Sequence, residues 1–179
     1  MKNPAEFYMP ATDAATGRAA YFSKYDIVRD DYRAVMASCA LPGFCRPVKV
    51  GDRYYYDGGV ADSIPLHHAI EHGCTKMVVI LSNPRDFVKK PEAHRPLYKH
   101  MLHKYPKTIQ SIDNRHINYQ ASIDLACRLE KEGYVFIFAP SRHMPLSTFS
   151  KDAALEQDLY DLGVADYEAR AEELKHFLN

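Results

Sequence analysis

At 179 residues the chain has length for one sizeable hydrophobic core but not for two independent ones. Hydrophobic residues make up 46% and charged residues 26%, the balance of a globular protein rather than a disordered or membrane-spanning one. Lys+Arg and Asp+Glu are equal at 23 each, so no net field gathers nucleic acid, which is not an expected partner.

Residues 6–12 read as a strand, and Asp13, Thr16 and Gly17 supply turn chemistry before a second extended run over 18–23. That is a hairpin. Residues 31–39 have helical spacing, with Tyr32, Val35, Met36 and Cys39 on one side, and Leu41-Pro42-Gly43 ends the helix. Residues 46–50 and 53–56 form another hairpin across Gly51-Asp52, which delivers the chain to Asp57-Gly58-Gly59. Ser63 is placed to cap a helix with Pro65 in its first turn, running through His67 and His68 to Gly73. The apolar run 76–82 predicts a strand buried on both faces.

Residues 84–95 are proline-rich and charged, hence a loop, before a long helix from about 108 to 131. Residues 134–139 read as a second buried strand. From 151 onward two helices are expected to meet near Gly163, the first carrying Leu155, Leu159 and Leu162, the second Tyr167, Leu174 and Phe177. Strand, helix and buried strand thus alternate as in a layered α/β fold. Cys39, Cys45, Cys74 and Cys127 have no CxxC spacing and read as reduced thiols. No stretch approaches the ~18 apolar residues of a membrane helix, and the residues after Met1 lack an export signal, so a cytoplasmic location is expected.

The segment around Asp57 is the candidate site. An aspartate closing a strand, followed by two glycines, projects a carboxylate from a sheet edge; the glycines allow positive φ and the close approach of another backbone. By itself Asp57-Gly58 is also a common turn signal. Its neighbours narrow the reading. Ala37-Ser38-Cys39-Ala40-Leu41-Pro42-Gly43-Phe44-Cys45-Arg46-Pro47-Val48, and then Tyr56-Asp57-Gly58-Gly59-Val60-Ala61-Asp62-Ser63-Ile64-Pro65, resemble the patatin-like phospholipase family. So do Ala11 to Gly17 with Tyr21-Phe22-Ser23 upstream. Downstream, Arg115-His116, Asn118-Tyr119, residues 136–140 and residues 159–163 resemble the C-terminal part of a bacterial subgroup of that family.

The resemblance implies an α/β, layered patatin-like fold: a partial central sheet flanked by helices, with a helical C-terminal extension. Residues 1–92 are then the C-terminal half of a catalytic core carrying the Asp-Gly-Gly motif, and 93–179 a mostly helical region with one buried strand near 134–139. It implies a Ser-Asp dyad that hydrolyses acyl esters of lipids, with Asp57 as the base and Gly58 and Gly59 shaping its turn. In that role the carboxylate takes the serine proton and returns it to the leaving alcohol. The partner is an acyl-ester lipid, with phospholipid, lysophospholipid and simple carboxyl esters all open, met at a membrane surface. No cofactor and no metal are implied, and nothing has calcium-loop spacing.

The departure from the family is large. The eight glycines, at 17, 43, 51, 58, 59, 73, 133 and 163, include no Gly-x-Ser-x-Gly pair and no glycine-rich oxyanion segment. The chain carries only the aspartate half of the dyad and is expected to be inactive alone. Ser38 and Cys39 are assigned to packing, Cys39 as a small buried hydrophobe, rather than to a substitute nucleophile. His68 and His72, with Glu71 between them, read as solvated helix-face histidines, since two ligands do not close a metal site. His100 and His103, beside Arg95, Lys99 and Lys104, read as an exposed basic stretch, with weak phosphate or headgroup contact as the alternative. From a different class, the chain is a non-catalytic remnant that binds or oligomerises through an exposed sheet edge.

Overall fold

The computed structural model describes residues 4–145 and 151–179. They divide into two compact units, each assembled from two stretches of chain: Met1–Pro65 with Lys89–Ser122, and Leu66–Val88 with Ile123–Asn179.

The first unit is built on a four-stranded antiparallel sheet in the order β2-β1-β4-β3. β1 (Tyr8–Asp13) and β2 (Ala19–Ser23) form the expected hairpin. Asp13 turns it, accepting hydrogen bonds from the backbone N–H of Ala15 at 3.0 Å and Thr16 at 2.8 Å. Burial pushes the Asp13 carboxyl upward, but these bonds and the Arg53 guanidinium outweigh it and hold it below 3.8. β3 (Val48–Val50) and β4 (Arg53–Asp57) form the second expected hairpin, and β4 also pairs with β1.

Side chains alternate across this sheet as the pleat requires, so both faces receive apolar groups. On one face Ala11, Phe22 and Tyr55 pack with Ala34 and Ala37 of α1 (Arg33–Ser38). It is Ala34 and Ala37 that face the sheet, while Tyr32 and Met36, from the side that carried the helical spacing, are more than half exposed. The sheet supplies the bulk through Phe22 and Tyr55, and methyl groups fill the space the helix leaves. On the other face Ala14, Tyr56 and Val60 pack with Leu102, Ile109 and Ile112. These come from the end of α3 (Arg95–Met101), a helix that the sequence pattern did not reveal, and from α4 (Pro106–Lys131). Gly17, at φ +69°, sits so close to α4 that a Cβ would lie 2.4 Å from the Lys107 carbonyl oxygen.

In the second unit α2 (Leu66–Glu71) precedes β5 (Met77–Ile80), which pairs in parallel with β6 (Val135–Phe138). β6 is buried over Val135, Phe136 and Ile137, as expected. β5 is not buried on both faces: Met77 and Val79 are inside, but Val78 and Ile80 are 40% and 79% exposed. Their side opens into an apolar cleft of about 430 Å³ shared with Phe138 and with Leu159, Leu162 and Tyr167 of α5.

α5 (Ala153–Leu178) is one continuous 26-residue helix, not two. Asp152 caps it, accepting from the N–H groups of Ala154 and Leu155. Gly163 lies in its interior, where a glycine costs only about 1 kcal/mol against alanine, too little to break a capped helix of this length. Ion pairing ties the unit together. Arg85 forks onto Glu130 at 2.6 and 2.7 Å, Glu130 accepts from the Ile137 N–H, and the Ile137 carbonyl accepts from both Arg85 and Arg170. The Arg170 guanidinium also lies 4.3 Å from the Phe136 ring centroid. No helix among the described residues is long and apolar enough to cross a membrane.

Candidate active-site turn

Asp57 closes β4, opposite Ala11 of β1. β3 is short and its pairing ends at Tyr55, so Asp57 finds another partner on that side: its N–H donates to the Ala40 carbonyl at 2.8 Å. The chain then turns through a single 3₁₀ turn, Gly58–Val60, capped by the Asp57 side chain. Thr12, wholly buried on β1, clamps the turn at both ends. Its hydroxyl donates to the Asp57 carbonyl at 2.8 Å and accepts from the Ala61 N–H at 3.2 Å.

The two glycines serve different purposes. Neither adopts the positive φ expected of them; among the described glycines that conformation belongs to 17, 43, 51, 73 and 133. Gly58 is needed for the other reason in the sequence reading, the close approach of a backbone. A Cβ there would stand 2.2 Å from the Pro10 carbonyl oxygen. That carbonyl also accepts a hydrogen bond from the Ser38 hydroxyl at 2.7 Å, so Ser38 is committed to holding the same junction. Gly59 keeps a space open. The position of its missing Cβ is 3.0 Å from Asp57 Oδ1 and 3.4 Å from Arg115 Nη2, so any side chain would stand between carboxylate and guanidinium.

The carboxylate itself is half-buried. Oδ1 accepts from the Gly59 N–H at 2.8 Å, and Oδ2 has no hydrogen-bond or ion-pair partner among the described residues. One oxygen is thus fixed and the other offered, an arrangement suited to accepting and returning a proton. The Gly59 carbonyl accepts from Arg115 Nε at 2.6 Å and from the Ser63 hydroxyl at 2.7 Å. Ser63 is therefore bonded back to the motif rather than capping α2. Arg115 Nη1 donates to Glu92 at 2.9 Å, and Lys89 lies 3.6 Å from the same carboxylate. Burial, and then the Arg115 charge, push the Lys89 ammonium below its ordinary value against the pull of Glu92. Nearby, the Tyr21 hydroxyl donates to the Asp62 carboxylate.

The other residues weighed in the sequence lie in different surroundings. All four cysteines are free thiols, and Cys39 is exposed rather than buried, because α1 turns its alanine side to the sheet. The rings of His68 and His72 lie 4.0 Å apart, centroid to centroid, with His72 Nδ1 2.9 Å from the His68 carbonyl. Among the described residues no group of three or more His, Cys, Asp or Glu side chains is placed to hold a metal ion. In the basic stretch, Arg95 is engaged, forking onto Asp113, which also accepts from the Tyr98 hydroxyl at 2.6 Å. Arg115, Glu92 and Thr12 were not singled out for the motif in the sequence. Arg115 had one signal, its place in a downstream stretch resembling the same family.

Residues 11–70 match the family model described as patatin-like phospholipase, so this segment is patatin-like and comes from a family of lipid hydrolases. Residues 105–179 match a second model, described as a domain of unknown function (DUF6363). No curated protein matches the chain. Asp57, Gly58, Gly59 and Thr12 lie within the first matched segment, and Arg115 lies within the second.

Proposed function

We propose that this chain supplies the aspartate half of a Ser-Asp acyl-ester hydrolase acting on phospholipid or lysophospholipid, its serine coming from polypeptide outside these 179 residues. The observation that carries this reading is the Asp57 carboxylate in a patatin-like segment, one oxygen braced by the Gly59 N–H and the other open. In the reaction the serine oxygen attacks the acyl carbon while Asp57 Oδ2 takes its proton. That proton passes to the alcohol oxygen as the ester bond breaks. Water then attacks the acyl-serine, giving a proton to Asp57, which returns it to the serine oxygen as the acid leaves. The substrate is met at a membrane surface from the cytoplasmic side.

The purified 179-residue chain is expected not to turn over a short-chain nitrophenyl ester. Joined to a segment bearing Gly-x-Ser-x-Gly, it is expected to do so, and Asp57→Asn should lower kcat by about 10²- to 10⁴-fold. Asp57→Asn at full activity would overturn the reading. Turnover by the chain alone, abolished by Asp57→Asn, would show the site to be complete already.

A second reading, an oligomerising scaffold, draws on the exposed Val78 and Ile80 of β5. Sedimentation of the chain separates the two: a stable oligomer dissolved by Ile80→Lys favours the scaffold, and a monomer opposes it.

A further inference from the structure

We propose that Arg115 is a positioning residue for Asp57, by which the C-terminal matched segment holds the motif of the patatin-like segment in working geometry. The proposal rests on the reading of Asp57 as the base.

The Asp57 carboxylate is oriented by one bond, from the Gly59 N–H. Gly59 has no Cβ to restrict its own φ and ψ, so the direction of that N–H is not set by local preference. That N–H shares its peptide plane with the Gly58 carbonyl, which accepts from the Ala61 N–H at 3.1 Å and the Asp62 N–H at 2.9 Å, and the backbone angles at Gly59 itself are closed by what holds the next peptide at the Gly59 carbonyl. Two donors converge on the Gly59 carbonyl, and the Arg115 Nε contact, at 2.6 Å, is the charge-assisted one of the pair. Glu92 accepts from Nη1 of the same guanidinium and so fixes the plane from which Nε reaches out. Arg115 stands on α4, which is tied to the β1–β2 turn by two hydroxyls: Thr108 donates to the Ala14 carbonyl at 2.8 Å, and Ser111 donates to the Gly17 carbonyl at 2.7 Å. Ile109 and Ile112 of that helix are buried in the core that includes Tyr56 and Val60 on either side of the motif. The arm therefore starts from a rigid base. The Arg115 donor lies 56 positions beyond Gly59, outside the segment 11–70 that holds the motif and its other donor, Ser63.

The experiment is amide hydrogen exchange on the 179-residue chain, comparing the native sequence with Arg115→Ala, Arg115→Lys and Arg95→Ala. In Arg115→Ala the Gly59 amide should exchange about tenfold faster or more, while the Ile109 and Ile112 amides stay within about twofold of the native rates. Arg115→Lys should recover part of the protection, since an ammonium can still reach a carbonyl. Arg95→Ala, which breaks an ion pair to Asp113 on the same helix, should leave Gly59 unchanged. Should Arg115→Ala fail to fold, Arg115→Gln carries the same expectation for Gly59.

Unchanged Gly59 exchange in a folded Arg115 variant would overturn the proposal. So would faster exchange spread equally over Ile109 and Ile112, which would mark a general loss of stability. With the serine segment joined, Arg115→Ala should lower kcat about tenfold or more at a KM within about twofold of native. If Asp57→Asn is fully active, the catalytic reading fails while the exchange result still stands on its own.

Discussion

The four-stranded sheet of the first unit and the two-stranded sheet of the second follow the same alternation of side chains, yet they differ in what covers them. The first has Ala34 and Ala37 of α1 on one face and Leu102, Ile109 and Ile112 on the other. The second leaves Val78 and Ile80 of β5 facing an open cleft. The glycines show the same contrast. At Gly58 a methyl group would strike a carbonyl oxygen at 2.2 Å, whereas around Gly163 nothing lies within 4 Å of where it would stand. Close backbone approach falls in the first unit, at Gly58 of the motif and at Gly17 against α4.

The largest expected effect tests that approach. Gly58→Ala should destabilise the first unit by about 3 kcal/mol, the upper range for overpacking against a backbone that cannot move aside. Urea unfolding reads it, and a loss below about 0.5 kcal/mol would mean that the Pro10 strand yields.

The ion pairs allow an intermediate test. Hydrogen bonding to Arg85 holds the Glu130 carboxyl below its ordinary 4.5 against burial, with the Ile137 N–H adding to it. A depressed carboxylate stabilises the fold above its unfolded value, and that contribution is lost as pH falls through the folded one. Glu130→Gln should therefore cost about 1–2 kcal/mol near neutral pH. The cost should shrink as pH drops below about 4.5, where native Glu130 is itself losing its charge. Melting temperatures across that range read the convergence; a cost independent of pH would remove charge from the explanation.

The smallest effect runs the other way. Gly163→Ala, in an open helix interior, should stabilise by about 0.5–1 kcal/mol. Destabilisation would show that the cleft beside α5 is closer packed than its geometry implies.

Much of the fold was legible in the chain because its signals are local. The hairpins at 8–23 and 48–57 followed from turn residues between extended runs, and the long helix ending before Gly133 followed from its spacing. The burial of β6 followed from an unbroken apolar run. Several readings failed, some of them because the deciding partner lies far away in sequence. The side of α1 that carries Tyr32 and Met36 faces outward, and its alanines meet Phe22 and Tyr55, which come from strands on either side of it in sequence. Gly163 did not divide α5, because its cost is small against the capped helix around it. β5 looked like a core strand, but its length of apolar sequence could not say whether a second layer would lie on it.

Asp57-Gly58-Gly59 itself, and its place in a patatin-like segment, could be read from residue identities and their order alone. Only the tertiary structure decided why each glycine is there: Gly58 for the Pro10 carbonyl, Gly59 for the space between Asp57 and Arg115. The reason is that φ preferences are written in a residue and its neighbours, while contacts at 2 to 3 Å between positions tens of residues apart exist only once the sheet and α4 have come together.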